Sequence, residues 1–140
     1  YLCLETMGKA AQLGSLEEVM RMCGVDDSFI PCVDFGHLNA REGGIFFTDD
    51  DYARVIERLA EGVGEKKCSI MHVHFSKIEF SAKGEVRHLT FDDEKYGPPY
   101  EPLMRVFKKF ALSPYIVCES AGTQTRDAQA MKRYYYGLDA

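Results

Sequence analysis

Four short, almost uniformly apolar runs, each followed by a longer stretch with helical spacing, constrain this chain more than anything else in it. The runs are 1–6, 29–35, 69–75 and 115–119. Strands this hydrophobic, alternating with helices, predict a parallel sheet covered by helices rather than a meander with one wet face. The helical stretches carry their own signals. Ser15-Leu-Glu-Glu18 is a capping box, and Leu16, Val19, Met20 and Cys23 recur at i, i+3, i+4, i+7 before Gly24 stops the helix. Thr48 precedes Asp49-Asp50-Asp51, acids suited to a helix N-terminus, and Tyr52, Val55, Ile56, Leu59 and Val63 form the stripe behind them. Leu103, Val106, Phe107, Phe110 and Ala111 predict a third helix, and residues 125–138 a last one. Residues 77–91 break the rhythm by alternating around Lys83-Gly84, which predicts a hairpin-like excursion after the third strand. Pro31 inside the second strand predicts a bend.

The class is therefore α/β, in the order β-α-β-α-β-hairpin-α-β-α. The 140 residues leave room for one domain, with no repeat, low-complexity tract or linker. Seventeen Lys and Arg against 22 Asp and Glu give a net charge of −5, which excludes a basic surface over the whole protein but not a local positive groove. No apolar run reaches the roughly 18 residues of a membrane span, and no secretory signal opens the sequence. Five cysteines (Cys3, Cys23, Cys32, Cys68 and Cys118), odd in number and without a CxxC pair, read as buried free thiols of a cytoplasmic protein.

The polar residues inside the strand runs carry the chemistry. Glu5, Asp34 and Glu119 lie at the C-terminal ends of the first, second and fourth strands, and His72 lies within the third. Period-2 alternation puts Cys3 with Glu5, Cys32 with Asp34, His72 with His74 and Val117 with Glu119 on one face, and the apolar Val33, Phe35, Met71, Val73 and Phe75 on the other. A lone Glu at a strand end is ordinarily a solvated loop neighbour, and a lone His in an apolar strand a hydrogen-bonded core residue. Four such groups at equivalent heights on four consecutive strands are a different matter, because three carboxylates buried together need a cation. The set suits Zn²⁺ best, with Mn²⁺ or Mg²⁺ as alternatives. His37 and His88 extend it. His74 shares the inward face as a ligand, a supporting donor or a packed ring.

Glu5-Thr6-Met-Gly8-Lys9, Leu13-Gly14-Ser-Leu-Glu-Glu18, Val33-Asp34-Phe-Gly-His37-Leu, His72-Val-His-Phe-Ser-Lys77, Val86-Arg87-His88 and Cys118-Glu119-Ser120 together resemble the C-terminal half of the endonuclease IV family. That family lies within the xylose isomerase-like group of TIM barrels. The resemblance covers nearly the whole chain. It implies that residues 1–140 are a partial (β/α)₄ domain, the C-terminal half of a (β/α)₈ barrel. It also implies phosphodiester cleavage at abasic sites in DNA by a trinuclear zinc cluster, a hydrolase activity of DNA repair. Glu5, Asp34, His72 and Glu119 would be ligands, Glu5 bridging two ions, with Glu5 and Glu119 the catalytic pair. His37 and His88 would belong to a third ion. Water activated by metal would attack phosphorus.

This sequence departs from the family pattern in two places. The family has Asp-x-His where this chain has Val86-Arg87-His88. Glu85 is expected to face the other way in a strand, leaving Asp92 or Asp93 as substitutes after a loop rearrangement. The ligands of the first four barrel strands have no counterpart here, and Tyr96-Gly-Pro-Pro99 replaces a Gly-Glu-Gly stretch, so these residues alone do not build a complete trinuclear site. Sugar isomerases and epimerases of the same barrel group hold one divalent metal with a similar Glu, Asp, His, Glu set, which makes a small sugar the alternative substrate. A non-catalytic metal-binding fragment is a third reading. His37, Lys77 and the Arg87-His88 pair favour the nuclease-like one.

Among the cations, Arg41 and Arg87 are candidates for phosphate contacts, and Lys77 for a substrate or supporting contact. Lys66-Lys67 and Lys108-Lys109 read as solvated helix ends, and Tyr134-Tyr135-Tyr136 as packing. A barrel of this kind needs about 250 residues. The expectation is a sheet with two unpaired edges, at Tyr1 and Tyr115, that pairs with a second copy or with a missing N-terminal half-barrel.

Overall fold

The computed structural model describes residues 1–139. Four parallel strands form the sheet in the order β1 (Leu2–Glu5), β2 (Phe29–Asp34), β3 (His72–Phe75) and β6 (Tyr115–Cys118). Between β3 and β6 the chain makes an antiparallel pair, β4 (Ile78–Ser81) and β5 (Gly84–His88). The connecting helices are α1 (Leu16–Cys23), α2 (Phe35–Arg41), α3 (Asp49–Val63), α4 (Glu65–Ser69) and α5 (Glu101–Lys109), and α6 (Gln124–Gly137) follows β6. The α/β class, the parallel order and the excursion after the third strand are as the sequence predicts. Among the described residues no helix is long and apolar enough to cross a membrane.

Ser15 caps α1 as expected, its Oγ accepting from Glu18 N at 3.3 Å while Glu18 Oε2 accepts from Ser15 N at 2.9 Å. At α3 the reciprocal half of the box dominates. Asp51 Oδ2 collects Phe47 N, Thr48 N and Thr48 Oγ1 within 3.0 Å. Pro31 causes no break in β2. The carbonyls of Ser28 and Cys32 accept from β1, so odd-numbered β2 residues turn toward β3, and that ladder starts only at Cys32–His72. The N–H that Pro31 lacks falls before it.

Two helices were not predicted. Asp34 ends β2 and caps α2, its Oδ1 accepting from His37 N at 2.8 Å, so Phe35 opens a helix instead of extending the strand. Ser69 ends α4, and the third strand begins at His72 rather than at Ser69.

The core lies on the helix side of the sheet. Val33, Val73 and Phe75 are fully buried there, with Met71 and Cys118 beside them. Phe35, Phe46 and Tyr52 pack as an aromatic group in which Phe46 and Tyr52 stack at 4.4 Å. The other face is less covered, and Cys3, Ile70, Tyr115 and Val117 are exposed. All five cysteines are unpaired thiols and four are buried. Cys3 corrects the expectation of uniform burial, because it points to the uncovered face.

Candidate metal centre

The carboxyl ends of β1, β2, β3 and β6, together with the hairpin, assemble one polar cluster. Asp34 lies at its floor, fully buried. Its backbone N–H donates to Thr6 Oγ1 at 2.9 Å, and its Oδ1 is spent on the α2 cap. Its Oδ2 is buried without any hydrogen-bond partner and sits 3.3 Å from His37 Nδ1. Burial pushes this carboxyl up to about 6, against the pull of the neighbouring His37. A buried carboxylate oxygen with no donor is a poor arrangement for the chain alone and a good one for a cation.

His37 is oriented by the backbone. Its Nδ1 donates to the Thr6 carbonyl at 2.8 Å, which leaves Nε2 as the free nitrogen, 3.6 Å from Glu85 Oε2. His88 is held in the same manner. Its Nδ1 meets Ser76 Oγ at 2.7 Å, and its Nε2 faces Glu85 Oε1 at 3.5 Å and Glu119 Oε2 at 3.9 Å. Two imidazoles thus present their Nε2 atoms to the two oxygens of one carboxylate, each with its other nitrogen fixed from behind. This is the support that ligating histidines ordinarily have.

Glu85 corrects the expectation that it faces away. Glu79 pairs with Arg87 and Phe80 with Glu85, so Val86 has no partner opposite and the strand bulges there. The extra residue reverses the alternation and returns Glu85 and His88, three apart, to the same side. Gly8 makes room for this carboxylate, since a Cβ on it would lie 2.7 Å from Glu85 Cβ. The proposed substitutes are occupied elsewhere. Asp92 pairs with Arg126 at 2.6 Å, and Asp93 Oδ1 accepts from Lys95 N and Tyr96 N.

The third-strand histidine is also corrected. Register places Asp34 beside His74 and Cys32 beside His72. His74 reaches the cluster, its Nδ1 2.9 Å from Glu5 Oε1 and 3.4 Å from Glu119 Oε1, whereas His72 lies one pleat deeper and joins none of the donor groups. The hydrogen bond from His74 holds the Glu5 carboxyl below its ordinary range. The Cys32 sulfur and then Glu5 push the His74 imidazole up to about 11. Donor atoms of Glu5, Asp34, His37 and Glu119 all lie within 4.8 Å of one another, as do those of His37, Glu85 and His88.

The cations are mostly committed to structure. Arg41 donates to the carbonyls of Met7, Lys9, Ala10 and Gln12, which fixes the β1–α1 loop and leaves little for a phosphate. Lys77 donates to the carbonyls of Phe91 and Asp93, pinning the segment after β5. Arg87 is exposed and holds Glu79 through Nε at 2.6 Å. Lys67, expected to be solvated, clamps the end of α1 through the carbonyls of Cys23 and Asp26. Sequence reasoning missed Thr6, Ser76 and Glu85 as parts of this centre. An isolated hydroxyl beside a strand end carries no signal of its own, and Glu85 depends on the bulge.

Over residues 1–135 the chain matches the family described as xylose isomerase-like TIM barrel. It is also similar to uncharacterized protein MJ0133 of Methanocaldococcus jannaschii, with 30% identity over 130 residues. That match takes in 93% of this chain and 46% of the relative, so the chain spans about half the length of the curated relative it matches.

Proposed function

The chain belongs to the xylose isomerase-like TIM barrel family, and from that membership we propose that it is the C-terminal half-barrel of a divalent-metal-dependent phosphodiesterase acting on DNA at abasic sites. The observation that carries this reading is the His37–Glu85–His88 group standing beside the Glu5–Asp34–Glu119 carboxylates. One ion among the carboxylates would serve a sugar isomerase equally well. A second set of two imidazoles and a carboxylate, borne partly by a hairpin outside the sheet, has no use in single-metal proton transfer. It suits the multi-metal clamping of a phosphoryl group.

The residues fit divalent ions. The orphaned Asp34 Oδ2 and the surrounding carboxylates supply the negative charge. The two free Nε2 atoms make zinc the best match, with manganese or magnesium possible at the all-oxygen side. Bound there, divalent ions supply Lewis-acid stabilisation of phosphate charge and an acidified water. The chain's own residues do the rest. The Thr6 carbonyl fixes the tautomer of His37, and the Ser76 hydroxyl holds the His88 ring in place. Glu119, partly exposed at the mouth of the cluster, is placed to take a proton at a carboxylate oxygen.

Metal analysis combined with cleavage of a duplex carrying one abasic site tests the reading. Two or more zinc ions per chain and strand scission at the abasic position are expected. Bound metal with turnover of a ketose and no scission would overturn it in favour of the isomerase. Metal without either activity would leave a binding fragment.

A further inference from the structure

We propose that Glu5, Cys32 and His74 form a separate, thiolate-containing position for a borderline-soft divalent ion, zinc or ferrous iron, directly beneath the carboxylate cluster. The inference rests on the metal-binding reading above in one respect only, that Glu5 is shared. Nothing else in the proposed phosphodiesterase site uses Cys32.

Cys32 stands apart from the other buried thiols. Cys68 Sγ sits near the Ile56 carbonyl and Cys118 Sγ near Met131 Sδ, both on the helix side of the sheet. Cys32 points to the opposite face, where the parallel register sets it beside Glu5 on β1. His74 on β3 completes the group, and one donor atom of each of the three lies within 4.8 Å of the others. Three different strands contribute, so the positions are fixed by the sheet rather than by a loop. The chemistry of the donors is that of a zinc-type site: one sulfur, one imidazole nitrogen and one carboxylate oxygen. A thiolate and a carboxylate together balance a dication. Binding displaces the Cys32 thiol proton and the His74 imidazole proton, both of which pass to solvent.

The competing use of a Cys–His pair is nucleophilic catalysis, and burial argues against it. Cys32 is 3% exposed, too enclosed for attack on a substrate carbon or phosphorus. A bare ion is small enough to reach it past Glu5 and His74, whose side chains are 31% and 19% exposed. Glu5 has two oxygens, so it can face this position and the carboxylate cluster at once.

Cobalt(II) titration of the metal-free full chain, followed by absorption, tests the inference. A near-ultraviolet sulfur-to-cobalt charge-transfer band is expected, saturating with one equivalent of the total cobalt bound. Cys32→Ser should abolish the band and lower the cobalt count by one, while Cys3→Ser leaves both unchanged. His74→Gln should weaken the band-forming affinity roughly tenfold or more. Zinc-edge X-ray absorption of the unmutated protein gives the same answer without any variant, through one sulfur neighbour at about 2.3 Å. Bound cobalt with no charge-transfer band, or zinc with only nitrogen and oxygen neighbours, would overturn this inference alone. A sulfur-ligated ion in a protein that leaves abasic duplexes intact would overturn the nuclease reading alone.

Discussion

Asp34 carries an electrostatic penalty in the metal-free chain. Its folded carboxyl titrates near 6 instead of near 3.8, because burial disfavours the charge. The folded state therefore takes up a proton, as pH falls, before the unfolded state does. Stability from this group is fully present below about pH 4 and is lost as pH rises through 6. Asp34→Asn keeps an oxygen for the α2 cap and removes the charge. In chelator at pH 7 the variant should melt higher than the unmutated chain, and the gain should vanish by pH 4. With zinc present the order should reverse, since the variant loses a ligand. Thermal melts with and without metal check both signs. At this scale much of the candidate site is legible in the sequence, because ionisable groups at equivalent heights on four consecutive apolar strands have few bland explanations together. The choice between His72 and His74 is not, since both share one face and only the register with Asp34 decides which reaches the cluster.

The hairpin is the element on which the second donor group depends. Its bulge at Val86 is what aims Glu85 at His37 and His88. Val86 itself is 53% exposed and contributes little packing. Deleting Val86 should make Glu79–Arg87 and Phe80–Glu85 consecutive pairs, keep Glu85 on the side of His88 and preserve metal binding at this position, while Glu85→Ala weakens it roughly tenfold or more. Competition against a chromogenic chelator, with circular dichroism to confirm retained structure, measures the difference. A Glu85→Ala variant with undiminished affinity would remove Glu85 from the ligand set. The strands and amphipathic helices are legible because their hydrophobic periods are strong. A bulge is not, because one extra residue in a short alternating run leaves the pattern of residue types almost unchanged. The short α2 escaped for a related reason. Asp34 reads as the end of a strand and as a site residue, and its third role as a helix cap is hidden behind those two.

Across the whole molecule the sheet ends in two edges. Among the described residues β1 and β6 each lack an outer neighbour, and Tyr1 and Tyr115 at those edges are 82% and 83% exposed. Parallel sheets are ordinarily covered on both faces and closed or protected at their edges. We propose that the barrel is completed either by a second copy of this chain or by a second half carried on a longer polypeptide. Expressed by itself, the chain should sediment as a dimer or larger species at micromolar concentration, and Leu2→Lys with Tyr115→Lys should shift it toward monomer. A stably folded monomer would count against edge pairing. Completion of the barrel lies beyond what 140 residues reveal, since the polar inner face reads the same whether solvent or another half stands opposite. One connection within the chain has a kinetic meaning. Glu85 N donates to the Gly8 carbonyl at 2.9 Å, and Ala10 N donates to the Lys83 carbonyl, so the hairpin is tied to the first loop at the point where Glu85 meets His37. An ion seated between those two side chains would hold the two ends of that tie together. The hydrogen-exchange rate of the Glu85 amide should therefore slow on metal loading.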